Sequence, residues 1–146
     1  MDIFCLDEGG CLYLSPKITR WETLSERGIT VVIDLEGDLD GGVPTLPNHI
    51  LYVYFPIYDE ELPDLPKLHA VARLGADLVR QGHRVLSHCG MGFNRSALVA
   101  GLILLNLGMS GEEVVRHLRQ CRPGALFNEV FAGYLQSLAD AALSPR

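Results

Sequence analysis

Basic residues are scarce in this chain: twelve lysines and arginines face eighteen acidic residues, a net charge of −6 over 146 residues. Nucleic acids and anionic membranes are held by clustered lysine and arginine, so neither is an expected partner, although one local anion site stays open. Cysteine is sparse too. Cys5, Cys11, Cys89 and Cys121 are too few and too scattered for a disulfide scaffold. The most apolar segment, Ala97 to Met109, falls short of a bilayer about 30 Å thick. The opening "MDIFCLDEGG" has neither the positive nor the long apolar region of a signal peptide. Repeats and low-complexity stretches are missing. A reducing cytoplasm is the expected setting. What is present, 48% apolar and 21% charged residues, suits one globular domain over residues 1–146.

Hydrophobic pattern and punctuation alternate between strand and helix. "CLYLS" (Cys11 to Ser15), "ITVVIDL" (Ile29 to Leu35), "HILYVYFPI" (His49 to Ile57) and "HRVLSH" (His83 to His88) read as strands. Thr19 and Glu22 have capping-box spacing, which predicts a helix over roughly Arg20 to Arg27. Asp64 precedes a second helix, with Leu65, Leu68, Val71, Ala72, Gly75, Leu78 and Val79 on one face and Gly82 at its end. An all-apolar helix follows Arg95. Ser110 and Glu113 form another capping box, for a helix reaching about Cys121. "RPG" breaks it, and Asn128 opens a last helix with Val130, Phe131, Tyr134, Leu135 and Leu138 inward. The expected fold is α/β: a mostly parallel sheet of about four to five strands with helices on both faces. Ligands in such folds sit at the carboxyl ends of the strands.

One such end carries "VLSHCGMGFNRSALVAGLILL", Val85 to Leu105. A strand, a tight loop and a helix N-terminus make an anion cradle, because backbone N–H groups converge and the helix dipole adds positive potential. Gly90 and Gly92 are expected to supply positive φ angles. Arg95 adds a planar fork that matches two phosphate oxygens. Cys89 is placed at the floor, where positive potential favours the thiolate. A thiolate beneath a bound phosphate is a nucleophile aimed at phosphorus.

The pattern His-Cys-x-x-Gly-x-x-Arg-Ser, at His88, Cys89, Gly92, Arg95 and Ser96, resembles the signature of the cysteine-dependent protein tyrosine phosphatases. Its place two-thirds along a short chain is similar to the small dual-specificity branch. "GITVVIDLEGD", "YVYFPIYDEELPDL" and "RSALVAGLILL" extend the resemblance from about Cys11 to Leu138. The resemblance implies two-step hydrolysis, in which a phosphocysteine forms on Cys89 and water cleaves it. The phosphate would lie in the loop Cys89, Gly90, Met91, Gly92, Phe93, Asn94 and Arg95. Arg95 would stabilise the transition state, Ser96 would help the thiolate leave, and His88 would order the loop and tune Cys89. Neither a metal nor an organic cofactor is implied. The leaving oxygen needs a proton. By the same resemblance the acid is Asp59, thirty positions before Cys89 and just after "YVYFPI". Asp64 is its rival, with helix N-cap as the competing reading.

Simpler roles compete elsewhere. Asn128 is read as a helix N-cap, with positioning of the hydrolytic water as the alternative that relatives imply. Met91 and Phe93 shape the rim, Trp21 is a core or helix-surface aromatic, and Cys5 and Cys11 belong to the core of the first strands. A regulatory disulfide from Cys89 to Cys5, Cys11 or Cys121 stays open. A metal site of His83, His88 and Cys89 is disfavoured, because the two histidines point to opposite faces of one strand. The variable loop positions carry no charge, and Glu36, Asp38, Asp40, Asp59, Glu60, Glu61 and Asp64 surround them. Such a rim repels a polyanion over a Debye length of roughly 8–10 Å, which points to an aryl phosphate or phosphotyrosine protein, with phosphoserine and phosphothreonine secondary. Two other classes stay open: a silent phosphopeptide-binding module, and a cysteine-based sulfurtransferase or arsenate reductase.

Overall fold

The apolar runs become five strands and five helices in a computed structural model that describes residues 1–138. The strands are β1 (Phe4–Cys5), β2 (Leu12–Ser15), β3 (Ile29–Asp34), β4 (Leu51–Tyr54) and β5 (Arg84–His88). The helices are α1 (Trp21–Glu26), α2 (Leu65–Arg80), α3 (Arg95–Asn106), α4 (Gly111–Cys121) and α5 (Glu129–Ser137). The sheet order is β1-β2-β5-β3-β4, parallel throughout except for the β1–β2 pair. This is the expected α/β fold. Ser15 and Asp34 both pair with His88, so the carboxyl ends of β2, β3 and β5 are level at one edge.

The two faces are unequal. Leu12, Leu14, Val31, Ile33 and Val85 join the large core with α2 to α5, whereas Tyr13, Val32 and Leu86 join a small core with Leu24 of α1. Strict alternation would put Ile29 with Val31 and Ile33. A register shift between Ile29 and Val31 turns it to the small core instead. In the large core α3 is central, with every residue from Ser96 to Leu105 buried. A Cβ on Gly75 would lie 2.6 Å from Ile103 Cδ1, so the glycine lets the Ile103 side chain pack directly on α2.

Several expectations are corrected. The Thr19–Glu22 capping box does not form: Arg20 takes the extended N-cap position, with no side-chain cap, and α1 ends at Glu26. Strand β4 spans only Leu51–Tyr54, since it is an edge strand and Pro56 has no N–H to continue the ladder. The backbone still follows the sheet, through Phe55 N–H to Asp34 O and Ile57 N–H to Leu35 O. His83 lies outside β5 and is exposed. Val130 is half exposed rather than inward. Cys5 is exposed and Cys11 half-buried, so neither is a core residue, and all four cysteines are free. Trp21 packs against the small core and donates its indole N–H to Gly41 O, pinning the acidic loop after β3.

Candidate active site

Between His88 and Arg95 the chain turns from a buried strand into a buried helix. Four successive carbonyls of this loop are taken from outside it. Lys17 N–H bonds Gly90 O, the Arg122 guanidinium bonds Met91 O and Gly92 O, and Leu126 N–H bonds Phe93 O. Each peptide plane holds C=O and the next N–H on opposite sides, so the N–H groups of these peptides point the other way. Gly92 N–H shows the result: it donates to Cys89 Sγ over 3.3 Å. Ser96 Oγ lies 3.2 Å from the same sulfur, and Cys89 is 2% exposed. Helix α3 begins here with no side-chain cap, so its first N–H groups are free for an anion.

The two glycines serve different ends. Gly92 has φ +74°, and a Cβ there would lie 2.8 Å from Pro16 N, so conformation and space both demand glycine. Gly90 does not have the expected positive φ. Its missing side chain instead makes room for the Glu36 carboxylate, which would collide with a Cβ at that position. Glu36 also stands 3.5 Å from Arg95 Nη1, which reaches Ile57 O at 3.4 Å. Arg95 Nε is buried without a partner, a donor in need of an acceptor.

Asp59 reaches the loop. Its Oδ2 accepts from Asn94 Nδ2 and its Oδ1 from Asn128 Nδ2, each over 2.9 Å. Asp64 caps α2 by accepting from Lys67 N–H over 3.0 Å. Asn128 caps α5 through Oδ1, the role its position suggests, while its amide nitrogen also holds Asp59 and Glu60 O. Met91 is an exposed rim residue. Phe93 is half-buried under Arg122, whose guanidinium carbon lies 3.9 Å from its ring centre, and Phe127 packs beside it.

His88 faces away from the sulfur's partners. Its Nε2 contacts Asp40 at 2.7 Å and Asp34 at 3.5 Å, with all three side chains buried. The Tyr52 hydroxyl donates to Asp34 and accepts from Asp40 N–H. Asp40 is therefore part of a buried cluster, not of the rim. Burial pushes the Asp34 carboxyl above its ordinary value, against the Tyr52 hydrogen bond, and burial and Asp34 push the Tyr52 hydroxyl up. Ligand atoms of Asp34, Asp40 and His88 lie within 4.8 Å of one another. A cation there would have to displace their mutual hydrogen bonds. His83, Cys89 and His88 do not come together as a donor set.

Sequence reasoning missed Arg122, Tyr52 and the pairing of Glu36 with Arg95. "RPG" after α4 signals only a helix break, and nothing local shows that its arginine reaches back thirty positions.

A mostly parallel sheet, a cysteine beneath an uncapped helix and an arginine in that helix's first turn define the class of cysteine-dependent phosphatases. The family model described as "Polymorphic toxin system, DSP-PTPase phosphatase" matches residues 13–109, and the chain belongs to this dual-specificity phosphatase family. It is 30% identical over 129 residues to "Protein phosphatase Slingshot homolog 3" of Homo sapiens, covering 86% of this chain and 19% of that protein. The Mus musculus counterpart is 28% identical over 130 residues, covering 86% and 20%. The chain thus spans about one fifth of these curated relatives. Human DUSP28 superposes with a TM-score of 0.80 at 23% identity, covering 97% of this chain and 95% of that one. DUSP15 does so at 0.81 and 21%, covering 97% and 90%. These likenesses show the fold. Among the described residues no helix is long and apolar enough to cross a membrane.

Proposed function

We propose that this domain hydrolyses phosphomonoesters through a phosphocysteine on Cys89. The observation that carries this reading is the sulfur's setting: Gly92 N–H and Ser96 Oγ both lie within 3.3 Å of it, at the foot of an uncapped helix. Both contacts set hydrogen-bonding groups against the sulfur, and neither is needed by a module that only binds phosphate. In the reaction Sγ attacks phosphorus as the ester oxygen departs. Arg95 and the loop N–H groups hold the equatorial oxygens. Asp59 protonates the leaving oxygen, then activates the water that breaks the S–P bond, with Ser96 stabilising the departing sulfur. His88, held by Asp34 and Asp40, orders the loop from the strand side.

Substrate class rests on charge and exposure. Asp59 is exposed and bonded to the loop, and Glu36 stands against Arg95. Asp38, Glu60 and Glu61 are exposed beside the loop-contacting Glu36 and Asp59 in sequence. This disfavours polyanions and supports phosphotyrosine in a protein or a small aryl phosphate, with phosphoserine and phosphothreonine secondary. A phosphoprotein substrate agrees with the Slingshot relatives being protein phosphatases.

The test is hydrolysis of an aryl phosphate in chelator, with radiolabelled phosphate trapped on acid-quenched enzyme. Turnover with label on the protein, both lost in Cys89→Ser, is the expected result. Turnover without label would reject the phosphocysteine. Phosphopeptide binding by reduced, folded protein without turnover would establish the silent module, and faster thiosulfate or arsenate chemistry would establish the third class.

A further inference from the structure

Asn94 and Asn128 are joined in a way that their single roles do not require. Asn94, 2% exposed, is the N-cap residue of α3, yet its side chain makes no cap bond. Its Oδ1 accepts from Asn128 N–H over 2.9 Å, which fixes the amide so that Nδ2 faces Asp59. Asn128 Oδ1 accepts from Val130 N–H and Phe131 N–H, which fixes that amide too and turns its Nδ2 to Asp59. Neither amide can flip without setting a donor against a backbone N–H. Two preset N–H donors, one from the phosphate loop and one from α5, thus take one oxygen each of the same carboxylate. Asn128 Nδ2 also bonds Glu60 O, so side chain and backbone of the acid's loop are both held.

We propose that Asn94 and Asn128 form a two-amide clamp that positions Asp59 over the phosphate loop, which makes them positioning residues for proton delivery. The inference rests on the reading of Asp59 as the general acid. The Asp59 side chain is on an exposed loop, where a carboxylate without such partners would sample many rotamers. A proton donor works only within hydrogen-bond reach of the leaving oxygen, so holding the loop to the cradle contributes directly to rate. Asn94 belongs to the phosphate loop and Asn128 is bonded to Asn94, so acid and nucleophile share one frame.

The experiment is the dependence of kcat/KM on leaving-group acidity for a series of aryl phosphates. Four proteins are compared: wild type, Asp59→Asn, Asn128→Ser and Asn94→Ser. Serine at 128 keeps a capping oxygen for α5 but loses the long-reach N–H donor. Asp59→Asn is expected to steepen the dependence, with a loss of roughly 100-fold for the poorest leaving group. Asn128→Ser is expected to lose about tenfold for that substrate and under twofold for the best one. Asn94→Ser, within the phosphate loop, is expected to lower all substrates, and the poorest about tenfold further than the best. Adding Asn128→Ser to Asp59→Asn is expected to leave the slope unchanged. A purely structural role would lower all substrates alike, and that result would overturn the clamp while Asp59 stood. A flat profile in Asp59→Asn would instead remove the acid itself, and the clamp with it.

Discussion

Two asparagines occupy helix N-caps, and they do opposite things. Asn128 commits its carbonyl to the N–H groups of α5, and Ser110 closes a full capping box on α4. Asn94 leaves the N-terminus of α3 open. A capped helix start is a stability device, worth about 1 kcal/mol. An open one at the foot of a buried cysteine offers its N–H groups to an anion. The difference separates helix starts that are satisfied within the protein from one whose N–H groups stay open.

Changes on the open side should strike activity and leave folding largely alone. Cys89→Ser is expected to lower turnover by at least about 10⁴-fold with an unchanged melting temperature, measured by steady-state kinetics and calorimetry. Arg95→Lys keeps the charge but loses the fork, and is expected to cost roughly 10²–10³-fold in kcat. Gly92→Ala breaks the distinction, since its Cβ meets Pro16 and its φ is +74°. Destabilisation of about 1–3 kcal/mol together with lost activity is expected by denaturant titration. Ser110→Ala sharpens it from the capped side: about 1 kcal/mol of stability lost, kcat/KM retained. The smallest effect is one of pH. His69 of α2 bonds Tyr134 of α5, and burial, then Arg73, lowers its affinity for a proton below the ordinary value. The folded state therefore binds fewer protons than the unfolded chain. Stability present above a pH of about 6.5 should fall as acid approaches the lowered value, and His69→Gln should flatten that slope in melting-temperature profiles.

Most of this division was legible in the sequence. Residues 88 to 96 act on one another within two turns of chain, so strand, glycine, arginine and apolar helix could be read from spacing. The α4 capping box is local in the same sense. Asp40 looked like a rim residue because it lies among acidic and glycine positions, and only the Tyr52 and His88 side chains, 12 and 48 positions away, bury it. Thr19 and Glu22 had the right spacing, but the chain starts its helix one residue later. The Gly90 position suggests a positive φ, but its backbone has none, and the Glu36 carboxylate occupies the space a side chain there would need. Where a residue's partner lies far along the chain, periodicity carries no trace of it.

The outward-facing carbonyls of the phosphate loop give Arg122 its importance. Its guanidinium holds two of them and stacks on Phe93, yet it stands behind the loop. The two arginines differ in what they leave over: Arg95 keeps a buried, unpartnered Nε, whereas Arg122 takes up two oxygens of the loop.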